Sequence, residues 1–131
     1  MTNGESTNPA VLPLVLIVED SAVASGALRL LFEESGMRVA IAASVAEALD
    51  AAAVETPDAV LLDLRLPDGD GLSLLDTWQR NDAMPKTIYA LTGTDDPAVV
   101  QRAKAAGCDD VILKPAKAME LLRRIKAAVA S

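Results

Sequence analysis

Histidine is missing from these 131 residues, and cysteine occurs once, as Cys108. A single thiol excludes an internal disulfide and suits a reducing compartment. Metals that favour imidazole or thiolate ligands, zinc above all, are disfavoured by the same shortage. Aromatic side chains make up only 2% of the chain, so aliphatic residues and alanine must pack the core. At 51% hydrophobic the length suits one domain with a sizeable interior and leaves no room for a second. Basic residues are outnumbered 12 to 19, giving a net charge of −7 and a pI of about 4.5. No basic face can neutralise nucleic-acid phosphates, so neither direct nucleic-acid binding nor a DNA-binding module is expected within these residues. A cationic start followed by a long apolar segment is also lacking. Neither secretion nor membrane insertion is indicated, and a cytoplasmic location is expected. Residues 1–13 carry Thr, Asn, Gly, Ser and two Pro without periodicity and read as a flexible leader. Residues 14–131 read as the folded domain, without repeats.

What is present is an alternation of short apolar runs with amphipathic stretches. The runs are LVLIV, which ends on Glu19-Asp20; RVAIA before Ser44; AVLL into Asp63; IYAL into Thr92; and VIL into Lys114-Pro115. Each is too short for a buried helix, so each reads as a strand. Between them, Val23, Ala27, Leu30 and Leu31, then Val45, Ala48, Leu49 and Ala52, recur at helical spacing. Ser44 with Glu47 fits a capping box, Asp96-Pro97 fits a helix start, and Gly107 fits a left-handed stop. Leu74, Leu75 and Trp78 mark the packing face of a third helix. Met119, Leu122, Ile125 and Val129 predict the buried stripe of the last one. PDGDG at 67–71 lacks EF-hand spacing and reads as a tight turn capping the third helix. Asp109-Asp110 reads as a solvated loop.

Helical crossovers cover both faces of a parallel sheet, so inner strands should be continuously apolar. LVLIV, AVLL and IYAL meet that condition, whereas RVAIA alternates and suits an edge. With RVAIA at one edge and VIL at the other, the expected fold is an α/β, doubly wound, five-stranded parallel sheet of order 2-1-3-4-5 with five helices. The winding reverses between the first and third strands, and a crevice opens beyond their carboxyl ends. Asp20 and Asp63 stand there. Three carboxylates crowded together repel by about 1 to 4 kcal/mol per pair at ~4 Å, so a cation must sit among them. Mg²⁺ prefers oxygen ligands and keeps several waters, which suits a shallow acidic crevice.

Four motifs carry a resemblance: VLIVEDS at 15–21, LLDLRLPDGDGL at 61–72, ALTG at 90–93 and GCDDVILKP at 107–115. Taken singly, the Glu19-Asp20 pair could be a solvated strand end, Thr92 an ordinary strand residue and Lys114-Pro115 a plain turn. In order, at matching strand ends, they resemble the receiver domains of two-component response regulators over residues 14 to 130, as in the single-domain chemotaxis regulator. The resemblance implies a flavodoxin-like fold and a signalling protein rather than an enzyme. It implies Asp63 as phosphoacceptor, with Asp20 and Asp63 binding Mg²⁺ directly, Glu19 through water, and the Arg65 backbone carbonyl as a further ligand. Lys114 would pair with one phosphoryl oxygen and the Thr92 hydroxyl would donate to another. The Lys114–Pro115 bond is cis in that family. Because this chain has no histidine, the donor would be a separate histidine kinase or histidine phosphotransfer protein. An output protein would dock through helix 4, strand 5 and helix 5, and a homodimer is possible. Arg65 and Thr94 stand where the family tunes phosphate lifetime.

One position departs from the family pattern. Many receivers carry Tyr or Phe three residues before the lysine, where this chain has Val111. A valine has no ring to swing inward, so the output is expected to travel through the loop before helix 4, or to be weaker. A phosphorylation-independent interaction module is the alternative reading. A haloacid dehalogenase-type phosphatase, which also uses a strand-end aspartate, needs an acid two residues after the nucleophile. Arg65 occupies that place and cannot serve.

Overall fold

A computed structural model describes residues 12–130. The leader expected at 1–13 therefore lies outside the described residues, except for Leu12 and Pro13. Those two lie along the start of the second strand, with the Arg38 amide donating to the Pro13 carbonyl and Arg38 Nε to the Leu12 carbonyl.

The chain alternates strands and helices in the order β1 (Leu14–Val18), α1 (Ala22–Glu34), β2 (Arg38–Ala42), α2 (Val45–Val54), β3 (Ala59–Asp63), β4 (Arg65–Leu66), β5 (Gly69–Asp70), α3 (Ser73–Arg80), β6 (Thr87–Thr92), α4 (Pro97–Ala106), β7 (Asp110–Leu113) and α5 (Ala118–Val129). Five strands form one parallel sheet in the order β2-β1-β3-β6-β7. Counted along the sheet strands alone, this is the expected 2-1-3-4-5. Successive side chains of a strand point to opposite faces, so each buried strand feeds two cores. Leu16, Val18, Val60, Leu62 and Ile88 pack with α2, α3 and α4, through Ala48, Leu74, Leu75, Trp78 and Ala103. Val15, Ile17, Leu61 and Leu91 pack on the other face with Leu28 and Phe32 of α1 and Leu121, Leu122 and Ile125 of α5. No described helix is long and apolar enough to cross a membrane.

Local signals fix most helix ends. The Ser44 hydroxyl accepts from the Glu47 amide at 3.1 Å, while the Glu47 carboxylate accepts from Ala43, one residue earlier than a standard capping box. Asp96 accepts from the Ala98 amide at 2.9 Å with Pro97 at the first helical position. Gly107 ends α4 at φ 119°. The Lys114–Pro115 bond is cis.

Four expectations need correction. In α1 the buried side chains are Ser25, Leu28 and Phe32, whereas Val23 is 86% and Leu30 64% exposed. AVASGALRLLFEE offers two apolar sets at helical spacing, and the one containing bulky Phe32 faces the sheet. In α5, Leu121 joins Leu122 and Ile125 in the core while Met119 is exposed. The PDGDG segment is a two-strand antiparallel hairpin, β4 with β5, in which Arg65 faces Asp70 and Leu66 faces Gly69. The expected cap on α3 is not made: Asp70 Oδ1 accepts from the Leu72 amide just before the helix, whose start has no side-chain cap. Asp109 and Asp110 are structural rather than solvating: Asp109 accepts from the Ile88 amide at 2.7 Å, and Asp110 pairs with Arg124 of α5. The Arg124 guanidinium in turn stacks 5.0 Å from the Tyr89 ring centroid, joining β7, α5 and β6.

Gly71 closes the hairpin where it returns behind β3. A Cβ there would fall 2.5 Å from the Asp63 carbonyl oxygen and 3.0 Å from a Leu62 methyl. Backbone cannot retreat as a flexible side chain can. Gly71→Ala is expected to destabilise the fold by about 2 kcal/mol in urea unfolding, whereas Gly26→Ala, with open space around it, should not destabilise it.

Candidate metal and phosphoryl site

The carboxyl ends of β1, β3, β6 and β7 meet on one rim of the sheet. β1 delivers Glu19 and Asp20, β3 delivers Asp63, β6 delivers Thr92, and the turn after β7 delivers Lys114. Parallel pairing makes this automatic, since Val18 lies beside Leu62, Asp63 beside Leu91, and Thr92 beside Leu113. Glu19, Asp20 and Asp63 each place a carboxylate oxygen within 4.8 Å of the others. Glu19 is 8% and Asp63 6% exposed, while Asp20 stands open to solvent. Burying two of three clustered acids is unfavourable unless a cation compensates.

Lys114 supplies that cation. Its ammonium lies 2.7 Å from Asp63 Oδ2 and 3.3 Å from Glu19 Oε1. The free carboxylate oxygens are held by backbone donors, Asp63 Oδ1 by the Arg65 amide at 3.0 Å and Glu19 Oε2 by the Ser21 amide at 3.1 Å. Backbone also fixes the flanks: the Lys114 amide donates to the Thr92 carbonyl at 2.7 Å, and the Thr94 amide donates to the Thr92 hydroxyl at 3.2 Å. Arg65, Thr92 and Thr94 line a cleft beside the acids, walled on its far side by Val99 and Arg102 of α4. Cys108 is remote in character: burial, helped by the Asp109 charge, pushes its thiol up to about 11, so it is an inert packing group.

Three oxygen donors of like charge, one of them open to water, fit a hard divalent ion with several retained waters. Nitrogen and sulfur ligands are lacking from the cluster, which fits Mg²⁺ and not zinc.

The family model of the response regulator receiver domain matches residues 15–126. The chain belongs to this family. It is 36% identical over 115 residues to the KDP operon transcriptional regulatory protein KdpE of Escherichia coli, covering 88% of this chain and 50% of that protein. Over 120 residues it is 33% identical to the Escherichia coli Regulator of RpoS, covering 91% of this chain and 35% of that one. The receiver domain thus spans half or less of the length of these curated relatives. The CheY-like receiver domain protein from Methanospirillum hungatei superposes with a TM-score of 0.81 at 29% identity, covering 91% of this chain and 94% of that one. The BeF3-activated receiver domain of Klebsiella pneumoniae RstA gives 0.77 at 26% identity, covering 90% and 99%. Receiver domains bind Mg²⁺ at an acidic pocket and are characteristically phosphorylated on aspartate, and Glu19, Asp20 and Asp63 form such a pocket here.

Glu19, Asp20, Asp63 and Lys114 come together on this rim, and Thr92 ends the adjoining strand; Arg65 meets Asp63 through its amide rather than through the carbonyl expected from the resemblance. What sequence reasoning missed is the fastening of the adjoining hairpin, Asp68 to the start of α2 and Asp70 to Arg102 of α4, in the segment read as a tight turn.

The Lys114 ammonium carries a testable pH signature. Partial burial lowers its pKa, but the hydrogen bond and charge of Asp63, with Glu19 behind them, outweigh that and raise it above the usual 10.5. A lysine raised on folding contributes its stabilisation fully below 10.5 and loses it as pH climbs through the folded value. The stability difference between wild type and Lys114→Met, followed by urea unfolding, should therefore stay constant up to about pH 10 and shrink above it. A difference that keeps one value through pH 11 would contradict the pairing.

Proposed function

We propose that this receiver domain accepts a phosphoryl group on Asp63 from a histidine kinase or a histidine phosphotransfer protein and passes the signal to a partner protein. Support comes chiefly from the position of Lys114, whose ammonium touches the Asp63 oxygen and one of the two neighbouring acids. In this reading Asp20, Asp63 and the Arg65 carbonyl hold Mg²⁺ directly and Glu19 holds it through water. When bound, the ion supplies charge neutralisation for the incoming phosphoryl oxygens.

The remaining work belongs to the chain. A carboxylate oxygen of Asp63 attacks phosphorus, the bond from phosphorus to the donor nitrogen breaks, and an aspartyl phosphate results. Phosphoryl transfer asks mainly for positioning and charge compensation, and the backbone donors to Asp63 and Glu19 provide the first. Lys114 exchanges its contact with Asp63 for a phosphoryl oxygen. The Thr92 hydroxyl donates a hydrogen bond to another, which draws the loop between β6 and α4 inward, because that hydroxyl oxygen already accepts from the Thr94 amide. The product brings roughly −1.5 to −2 charge units into the crevice.

Val111 packs partly buried against the core under α4, where a switching aromatic ring would otherwise stand. The signal therefore leaves through the loop before α4 and through α4 itself, and the output partner docks on α4, β7 and α5. Acting beside a kinase, the domain works in the cytoplasm in this reading.

Incubation with a small acyl phosphate and Mg²⁺, followed by intact-mass measurement, tests the reading. Wild type should gain one phosphoryl group, Asp63→Asn none, and chelation of Mg²⁺ should suppress labelling. Equal labelling of Asp63→Asn would overturn the assignment.

A further inference from the structure

The β4–β5 hairpin lies between two helices and is fastened to both. At its turn, Asp68 reaches to the start of α2, where the Val45 amide donates to Oδ1 at 2.8 Å and the Ala46 amide to Oδ2 at 3.1 Å. First-turn amides have no carbonyl partner inside their own helix, so this carboxylate satisfies two at once. On its returning strand, Asp70 pairs through Oδ2 with Arg102 of α4 and accepts from the Leu72 amide with Oδ1. Asp70 stands directly across the hairpin from Arg65. Arg65 in turn follows Asp63 by two residues and donates its amide to Asp63 Oδ1.

For starting α2, Asp68 is more than the helix needs. Ser44 already caps it by accepting from the Glu47 amide, and Glu47 accepts from Ala43. The carboxylate belongs to a segment 22 or more residues further along the chain. Its distinctive effect is thus on the hairpin, whose turn it anchors to a rigid element. The Arg102 pair on the other side is exposed at both partners, as the Asp68 contacts are, but it ties the hairpin to a long side chain, whereas Asp68 takes two backbone amides.

We propose that Asp68 is a positioning residue: by docking the hairpin turn onto the first turn of α2, it sets where the Arg65 carbonyl stands beside Asp63, and with it the affinity of the site for Mg²⁺. This rests on the reading of the site given above. Asp68 neither touches the acids nor joins the reaction, and it acts through the backbone of the hairpin. Ser44→Ala removes a cap of the same helix without touching the hairpin, so it separates strap from helix.

The test is calorimetric titration with Mg²⁺ alone at physiological salt, together with amide exchange of the metal-free proteins. Asp68→Ala should weaken Mg²⁺ binding about five-fold, the loss of one cap's worth of positioning, and Ser44→Ala should change it by less than about two-fold. Asp68→Asn keeps an acceptor oxygen but no charge, and should fall between wild type and Asp68→Ala. In exchange, residues 65–70 should lose protection in Asp68→Ala and keep it in Ser44→Ala. Equal weakening by Asp68→Ala and Ser44→Ala, unchanged affinity in Asp68→Ala, or Asp68→Asn as weak as Asp68→Ala would each overturn the proposal. The last would locate the effect in lost charge. Wild type that binds no Mg²⁺ would instead sink the underlying reading, and unchanged hairpin exchange in Asp68→Ala would independently sink the strap.

Discussion

Lys114 Nζ stands 2.7 Å from Asp63 Oδ2 and 3.3 Å from Glu19 Oε1, and much of the architecture exists to hold that ammonium among acids. Two nearly buried carboxylates and an exposed third would repel one another and open the rim without it. The four contributing strand ends are brought level by parallel pairing, and the sheet is kept rigid by two mainly aliphatic cores. A lone lysine holds charge without saturating coordination. It neutralises the resting pocket, yet it leaves one acid wet and can be drawn off by a stronger partner.

Much of this was legible from residue order. Continuous apolar runs such as LVLIV and AVLL could only be inner strands of a covered sheet, and the polar residues ending them had to share a rim. Helix faces were less legible where the segment was apolar nearly all round. In α1 the choice between Val23-Ala27-Leu30-Leu31 and Ser25-Leu28-Phe32 depends on which side chains the sheet can accommodate, and of the first set Leu31 packs against the core, a tertiary outcome that spacing leaves open. In α5, Met119 lost its expected place to Leu121 for a similar reason. Acidic residues in loops were the least legible. Asp68, Asp70, Asp109 and Asp110 look alike as sequence, yet all four accept backbone amides, two of them from distant segments, and two pair with helix-borne arginines. Long-range capping partners have no local signature.

The substitution of Val111 for an aromatic ring and the fastening of the hairpin bear on the same question, which is how a change at Asp63 reaches the surface. The ring route is closed, while backbone routes remain: Thr92 holds the Thr94 amide, the Thr94 hydroxyl holds the Asp96 amide, and Asp96 caps α4. On the other side, the hairpin links the neighbourhood of Asp63 to α4 through Asp70 and Arg102. Both converge on α4. Under the proposed function, a signal from Asp63 would reach α4 through its cap and one surface ion pair, a lighter coupling than burial of a large side chain would give.

The central claim is that the ammonium of Lys114 and a Mg²⁺ ion divide the charge of one acidic pocket around Asp63. A crystal structure of the domain with Mg²⁺ and beryllofluoride tests this most directly. The account predicts beryllofluoride on Asp63, the ion on Asp20, Asp63 and the Arg65 carbonyl, and Lys114 turned from the carboxylate to a fluorine. An ion bound elsewhere, or a Lys114 still paired to Asp63 with no adduct formed, would contradict it.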